Sequence, residues 1–289
     1  MDEPLPAGLS TPRQGVLGYL YKRHKLAVRV MHWINVLSAT ILLMSGLQIF
    51  NAHPALYWGK SSYTGKPPIL ALTSKENGDD VIGVTRIFGH EFVTTGLLGA
   101  SANAEGEIVS RGFPSWMTIP DSAWLSMARA WHLFFAWLFV INGIAYIAYS
   151  IATRHLKNDL APTPKDWRSI GQSIKDHMRL RHAKGEAAKE YNVLQKLAYL
   201  SIIFGVLPLL VLMGLAMSPW VNSVVPGWVD LFGGRQSART LHFIAAWLLV
   251  GFVLIHVFEV IITGLWNNLR SMITGKYRVT PEAPHADTK

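Results

Sequence analysis

Four histidines lie within long apolar stretches of this sequence, and their spacing indicates metal-ligand chemistry. His242 and His256 lie fourteen residues apart in LHFIAAWLLVGFVLIHVFEV, while His32 and His132 occupy two earlier stretches, RVMHWIN and ARAWHLFFAWLFV. Fourteen residues make about four helical turns, so the last two imidazoles share a helix face within roughly 40° and lie about 21 Å apart along its axis. One helix would therefore present two ligands at two different depths.

The elements that must position these histidines are four apolar runs, each long enough to cross a bilayer, for which roughly 20 helical residues suffice. The runs cover residues 26–50, 124–151, 197–217 and 238–266. Half of the 289 residues are hydrophobic and 16% are charged, against about 25% charged in soluble domains. We therefore expect an all-α membrane protein, a four-transmembrane-helix bundle that forms a single domain over residues 1–289.

Lysine and arginine are distributed unevenly between the segments that join these spans. The segment before the first span, the 152–192 loop and the tail carry 17 of them, whereas the 51–123 and 218–237 loops carry six. Because such residues mark the cytoplasmic side, we expect cytoplasmic termini and an extracytoplasmic 51–123 loop. The net charge of +9 is thus a topology signal, with membrane lipid and not nucleic acid as the expected partner. The 51–123 loop is too long to be structureless, and its mixture of β-branched residues and glycines predicts small hairpins.

The direction of each span sorts the four histidines by depth. His32 and His256 fall in the cytoplasmic half, while His132 and His242 fall in the outer half. Ionisable residues at membrane depth are costly and indicate function. A b-type haem takes its two axial imidazoles from facing helices, so the pattern predicts two haems b stacked across the bilayer. The absence of cysteine excludes iron–sulfur ligation and the attachment of c-type haem.

Arginines and glycines recur at fixed offsets from these histidines. Arg29, Arg129 and Arg239 each precede a histidine by three residues, which places them on the same helix face, at the watery end of the span, where they can pair with haem propionates. Gly46 and Gly143 face the haem of the opposite leaflet and would let a macrocycle approach the backbone. Other interpretations stay open: snorkelling arginines, helix-packing glycines, and histidines that hydrogen-bond between helices.

These histidine-bearing segments resemble the bacterial di-haem cytochrome b561 family, which includes cytochrome b subunits of nickel–iron hydrogenases, formate dehydrogenases and thiosulfate reductases. RVMHWIN, ARAWHLFFAWLFVINGIAY and LHFIAAWLLVGFVLIHVFEV carry the likeness. It implies a multi-pass protein of the bacterial inner membrane that exchanges electrons between the quinone pool and an extracytoplasmic partner. The 51–123 loop is longer than in small members, which implies a docking platform for a periplasmic oxidoreductase subunit, such as a molybdopterin enzyme.

The resemblance also places a quinone site near the inner haem. The residues expected there are Tyr191, Asn192, Lys196 and Glu259; interfacial anchoring or a position at the cytoplasmic helix edge would equally explain them. The leading prediction is a non-catalytic electron-transfer subunit of an oxidoreductase complex. Two alternatives remain open: a stand-alone cytochrome of the same fold that reacts with superoxide or quinone, and a haem-free transporter whose histidines relay protons.

Overall fold

The structure is a computed structural model that describes residues 18–62, 65–78, 80–103, 105–181, 185 and 191–280. The ends of the predicted 1–289 domain, residues 1–17 and 281–289, lie outside this range. In the described part of the chain, four helices are long and apolar enough to cross a membrane. This confirms the number of spans expected from the apolar runs. The spans are Leu26–Asn51, Leu125–Ala152, Val193–Met217 and Arg235–Ile262.

We number the α-helices along the chain: α1 (Leu26–Asn51), α2 (Leu125–Ala152), α3 (Pro164–Met178), α4 (Val193–Ser201), α5 (Leu207–Met217), α6 (Pro219–Val224), α7 (Arg235–Ile262) and α8 (Leu265–Thr274). Short 3₁₀ turns cover Ser115–Met117 and Trp228–Phe232, and a π-helical turn covers Leu156–Leu160. The third span joins α4 to α5 through another π-helical turn, Ile202–Val206. Pro208 lies two residues after this turn, and because proline has no backbone N–H, the widened turn lies where the regular hydrogen-bond ladder is interrupted.

The span boundaries differ from those expected by up to four residues, and local chemistry explains the two largest differences. The third span begins at Val193 instead of 197, because the Asn192 side chain accepts a hydrogen bond from the backbone N–H of Gln195 and starts the helix early. The fourth was expected to end at 266. Instead α7 ends at Ile262, because Gly264 adopts a positive φ of 112°, which a right-handed helix does not accommodate. The chain then turns into α8.

The 51–123 segment forms two small antiparallel sheets, in agreement with the hairpins expected there. One has the strand order β2–β3–β4–β5 and the other pairs β6 with β7. The strands are β2 (Ala55–Leu56), β3 (Leu70–Asn77), β4 (Asp80–Ile87), β5 (His90–Val93), β6 (Ala100–Ala102) and β7 (Ile108–Ser110). A buried cluster that includes Phe50 of α1 and Phe113 seats these sheets on the end of the bundle.

Arg111 fastens the same segment to α1. Its guanidinium donates to the Phe113 carbonyl at 2.9 Å, to Gln48 Oε1 at 2.8 Å and to Thr118 Oγ1 at 2.7 Å. Burial lowers the pKa of Arg111, and these oxygen acceptors replace the water that the guanidinium loses. We call this end of the bundle, where the 51–123 segment meets the start of α7, the loop end.

The opposite end, which we call the terminal end, is closed by a pairing that the sequence did not predict. Strand β1 (Tyr19–Lys22) lies antiparallel to β8 (Lys276–Val279), with Tyr19 opposite Val279. Helix α3 packs here as well, because Lys196 at the start of α4 forms a 2.9 Å ion pair with Asp166. The backbone N–H of Thr163 and then Lys196 hold the pKa of Asp166 below its ordinary value.

Within the bundle, the helices pack most closely as two pairs. Helix α1 lies along α2, and α5 lies along α7. Asn142 links the first pair, donating to the Met31 carbonyl at 2.9 Å and to Asn35 Oδ1 at 2.7 Å. The histidines face each other across the boundary between these two pairs.

Candidate functional site

The four membrane-depth histidines come together as two imidazole pairs. His32 of α1 faces His256 of α7 with ring centroids 6.4 Å apart and ring planes at 64°. His132 of α2 faces His242 of α7 at 6.2 Å and 63°. The first pair lies towards the terminal end and the second towards the loop end, which is the pairing by depth that the sequence predicted.

The spacing of each pair suits a single metal ion held between two rings. Imidazole nitrogens bind transition metals at about 2 Å, which leaves the two ring centroids about 6 Å apart. Among the described residues, no three or more His, Cys, Asp or Glu side chains converge on one point. The donor set of each pair is therefore two imidazole nitrogens, which would suit a metal whose remaining ligands belong to a macrocycle.

Hydrogen bonds fix the tautomer of both imidazoles in the loop-end pair. His242 Nδ1 lies 3.0 Å from the Leu210 carbonyl, and because a carbonyl only accepts, Nδ1 carries the proton. Ser45 Oγ lies 3.1 Å from His132 Nδ1 and donates its own proton to the Ile41 carbonyl at 2.6 Å, so it accepts from His132. Both Nε2 atoms therefore keep a free lone pair for a metal, an arrangement common in metal-bound histidines.

Glycines lie directly beside both loop-end imidazoles. A Cβ on Gly46 would stand 3.3 Å from His132 Cε1, and one on Gly214 would stand 3.7 Å from His242 Cε1. Gly46 thus gives room to the imidazole, whereas the sequence prediction assigned it to the macrocycle. A Cβ on Gly143 would meet no atom within 4 Å, so this position on α2 opens onto unfilled space. Gly214 was missed, because its relation to His242 depends on how α5 packs against α7.

Aromatic rings surround the terminal-end pair. Phe252 stacks on His256 at a centroid distance of 5.9 Å and 15°, one helical turn before it on α7. Tyr199 of α4 meets Phe252 edge-on at 6.2 Å, and Tyr191 meets Tyr199 at 5.6 Å. Trp33 meets His32 at 5.5 Å and donates its indole N–H to the Met272 carbonyl of α8 at 3.2 Å. An unbroken series of rings therefore leads from Tyr191 to His256.

The three arginines of the R-x-x-H pattern lie in different surroundings. Arg29 donates to the Ile273 carbonyl of α8, and its Nε is buried without a partner among the described residues. Arg239 donates to the His53 carbonyl and lies 5.2 Å over the Phe50 ring. Arg129 is exposed on α2. Two of the three therefore already bind backbone oxygens near their histidines, with further N–H groups available to an anionic ligand.

The four residues predicted for a quinone site differ in what their side chains already contact. Asn192 caps α4, and Lys196 pairs with Asp166. Glu259 lies 3.3 Å from His177 Nε2 of α3. Tyr191 is half-buried beside Tyr199 and beneath the Arg23 guanidinium, which lies 5.8 Å from its ring centroid. Burial raises the pKa of Tyr191, so its phenol stays protonated and able to donate a hydrogen bond.

Two imidazole pairs at opposite ends of one apolar helix are the arrangement of a membrane cytochrome b. A family model described as prokaryotic cytochrome b561 matches residues 23–275. The chain belongs to this family of membrane electron-transfer proteins, as the resemblance of its histidine segments predicted. Membership implies b-type haem, and the paired imidazoles suit that group.

Two curated proteins are similar in sequence to this chain. Over 240 residues, covering 82% of this chain and 89% of the relative, the chain is 28% identical to a protein of Azospira oryzae named putative protein-methionine-sulfoxide reductase subunit YedZ1. Over 158 residues, covering 50% of this chain and 64% of the relative, it is 27% identical to a probable Ni/Fe-hydrogenase B-type cytochrome subunit of Cupriavidus necator. Both names describe subunits of oxidoreductases.

Proposed function

We propose that the protein binds two haems b, one between His32 and His256 and one between His132 and His242, and that it carries electrons across the membrane. The observation that carries this proposal is the pair of imidazole couples with centroid distances of 6.4 and 6.2 Å. They lie fourteen residues apart on α7, about 21 Å along the helix axis. Bound haem supplies a one-electron carrier at each depth.

The side chains around each pair have defined tasks in this proposal. Ser45 and the Leu210 carbonyl orient the loop-end imidazoles and raise their basicity through the Nδ1–H bonds. Phe252 holds His256 by stacking. Arg29, Arg129 and Arg239 would neutralise the haem propionates, and Gly143 would leave space for a macrocycle edge beside α2.

The proposed partners lie at opposite ends of the bundle. Lys and Arg favour the terminal end, 17 against six, which supports cytoplasmic termini in a bacterial inner membrane and an extracytoplasmic loop end. There the sheets of the 51–123 segment would dock a periplasmic oxidoreductase subunit. The relatives' names support an oxidoreductase partner, since they describe subunits of a reductase and of a hydrogenase. A quinone would exchange electrons and protons beside the terminal-end pair, with Tyr191 as hydrogen-bond donor and Glu259 with His177 on the path to water.

The first experiment is a reduced-minus-oxidised optical spectrum of the detergent-purified protein, with haem quantified per chain. We expect two b haems per chain, and about one in each of His32→Ala and His132→Ala. His90→Gln, which changes an exposed histidine on β5, is the matched control and should keep both. Colourless protein, or equal loss in the control, would contradict the proposal and favour histidines that relay protons.

A second experiment tests the quinone end. In His132→Ala, a quinol analogue should still reduce the remaining haem, whereas in His32→Ala quinol reduction of the loop-end haem should slow by at least tenfold. Tyr191→Phe should raise the apparent KM for quinol without changing the haem content. If both histidine variants are reduced equally fast, quinol does not enter at the terminal end.

A further inference from the structure

A cleft between α8 and β8 at the terminal end combines arginines with an exposed apolar helix face. Its volume is about 500 Å³, and its lining residues are Trp266, Asn267, Arg270, Arg278 and Thr280. Two guanidinium groups and no carboxylate belong to this lining. The cleft uses none of the residues assigned to the imidazole pairs.

Asn267 builds the polar floor of this cleft. Its Oδ1 accepts from the Arg278 backbone N–H at 2.8 Å and from Arg270 Nη2 at 2.7 Å. Its Nδ2 donates to the Arg278 carbonyl at 2.9 Å. One amide therefore fixes the end of α8 against β8 and holds the Arg270 guanidinium in place. Preorganised guanidinium groups recognise phosphate oxygens well, because their N–H groups form a rigid planar fork.

Arg270 also carries an unused donor. Its Nε is buried and has no hydrogen-bond partner in the described range. A buried donor without a partner costs free energy, and an anionic oxygen in the cleft would remove that cost. Basic residues continue along the neighbouring strands, where Lys22 of β1 lies opposite Lys276 of β8. The charge of this surface thus favours a ligand with a negative headgroup.

The apolar residues beside the cleft place it at the membrane surface. Helix α8 begins three residues after the span α7 ends, and it exposes Leu265 at 40%, Trp266 at 79% and Ile273 at 59%. A short helix with one apolar face directly after a span lies in the interfacial plane, where tryptophan is enriched. Free phosphate would need the arginines alone, whereas a lipid would use both the arginines and this apolar face.

We propose that this cleft binds the phosphate headgroup of an anionic phospholipid, with Arg270 and Arg278 on the phosphate and Trp266 beside the acyl chains. Bound lipid would brace α8, which in turn accepts hydrogen bonds from Arg29 and Trp33 on either side of His32. The lipid would therefore steady the helix face that carries the terminal-end imidazole.

The test titrates the haem-loaded, delipidated protein with phosphatidylglycerol or phosphatidylcholine of identical acyl chains, and reads bound lipid by native mass spectrometry. We expect phosphatidylglycerol to bind at least tenfold more tightly. A juxtamembrane arginine contributes a factor of about five, so Arg278→Gln should weaken phosphatidylglycerol about fivefold. The double variant Arg270→Gln/Arg278→Gln should weaken it about thirtyfold.

The matched control is Arg168→Gln/Arg179→Gln, which removes two exposed charges at and just beyond α3 and should change the affinity by less than twofold. Because Arg270 is partly buried, the single change at the exposed Arg278 carries the test if the double variant loses haem or melts early. Equal binding of the two lipids, or equal weakening in the control, would overturn the proposal. Displacement of phosphatidylglycerol by inorganic phosphate at millimolar concentration would identify a free-phosphate site instead, and would overturn it too.

Discussion

Replacing Ser45 with alanine would remove one hydroxyl from beside His132 while leaving the imidazole itself intact. Ser45 is fully buried on α1, and its Oγ is the acceptor 3.1 Å from His132 Nδ1. Without it, the Nδ1–H keeps only the backbone carbonyl of Leu42 as a contact and loses its side-chain acceptor. The change therefore isolates the role of the oriented imidazole from the role of the ligand atom.

The expected magnitude follows from the cost of a buried donor that loses its acceptor, about 1–3 kcal/mol. At 1.4 kcal/mol per factor of ten, this corresponds to a loss of roughly 10- to 100-fold in haem affinity at the loop-end pair, the range found for partners of metal-bound histidine. The lost hydrogen bond also lowers imidazole basicity, which disfavours the oxidised metal. A tenfold difference between the two oxidation states would raise the midpoint potential by about 59 mV.

The assay is a redox titration that resolves the two haems, together with the rate of haem loss to an apo-globin acceptor. Ser38→Ala is a matched control, because Ser38 lies on the same helix, is equally buried and has an Oγ without a partner among the described residues. Ser38→Ala should leave both haems unchanged. If the two serine variants behave alike, or if Ser45→Ala shifts both haems equally, the assignment of Ser45 to His132 is wrong.

Four further substitutions test other parts of the structure. Gly46→Ala puts a Cβ 3.3 Å from the adjacent imidazole and should perturb the loop-end haem spectrum, whereas Gly143→Ala meets no atom within 4 Å and should lower haem content without lowering the melting temperature of the apoprotein. Because folding lowers the pKa of Asp166, its ionised carboxylate stabilises α3. This stabilisation is complete above the ordinary pKa of 3.8 and is lost as the pH falls through the lower folded-state pKa. Asp166→Asn should therefore raise hydrogen exchange in Pro164–Met178 already at pH 7, and an unchanged exchange rate would refute the role of the carboxylate. Arg111→Met removes three hydrogen bonds, while Asn51 Nδ2 still donates to Gln48 Oε1 and to the Phe113 carbonyl. It should destabilise the 51–123 segment by roughly 1–2 kcal/mol, seen as faster proteolysis there.

The sequence predicted the spans and the meeting of the histidines because both depend on properties of single helices. Apolar length sets a span, while direction and the 100° step per residue set the depth and face of each side chain. His242 and His256 could be paired with partners on other helices from these quantities alone. Even the start of α4 has a readable signal, since Asn192 and Gln195 have the spacing of a capping box.

Other features depend on how helices rotate and approach each other, which one-dimensional spacing does not encode. The acceptors of the two loop-end imidazoles are a side chain on α1 and a carbonyl on α5, and a carbonyl leaves no mark in the sequence. Gly214 and Phe252 gain their roles in the same way, because the packing of the helices decides which side chains lie beside them. The β1–β8 pairing joins two strands of only four residues each. Exposed and buried residues alternate in β8, whereas β1 is exposed throughout and lacks the alternation of a half-buried strand.

The β1–β8 pairing also determines when this end of the bundle can close during synthesis. Tyr19 and Val279 are 260 residues apart, so β1 leaves the ribosome long before its partner β8 has been synthesised. Contacts of such separation form late, because the chain between them must be ordered first. A chain cut short by a premature stop before Lys276 would contain all four spans but lack β8, so β1, which precedes α1, would have no partner strand. The β1–β8 pair can therefore form only after all four spans have been synthesised.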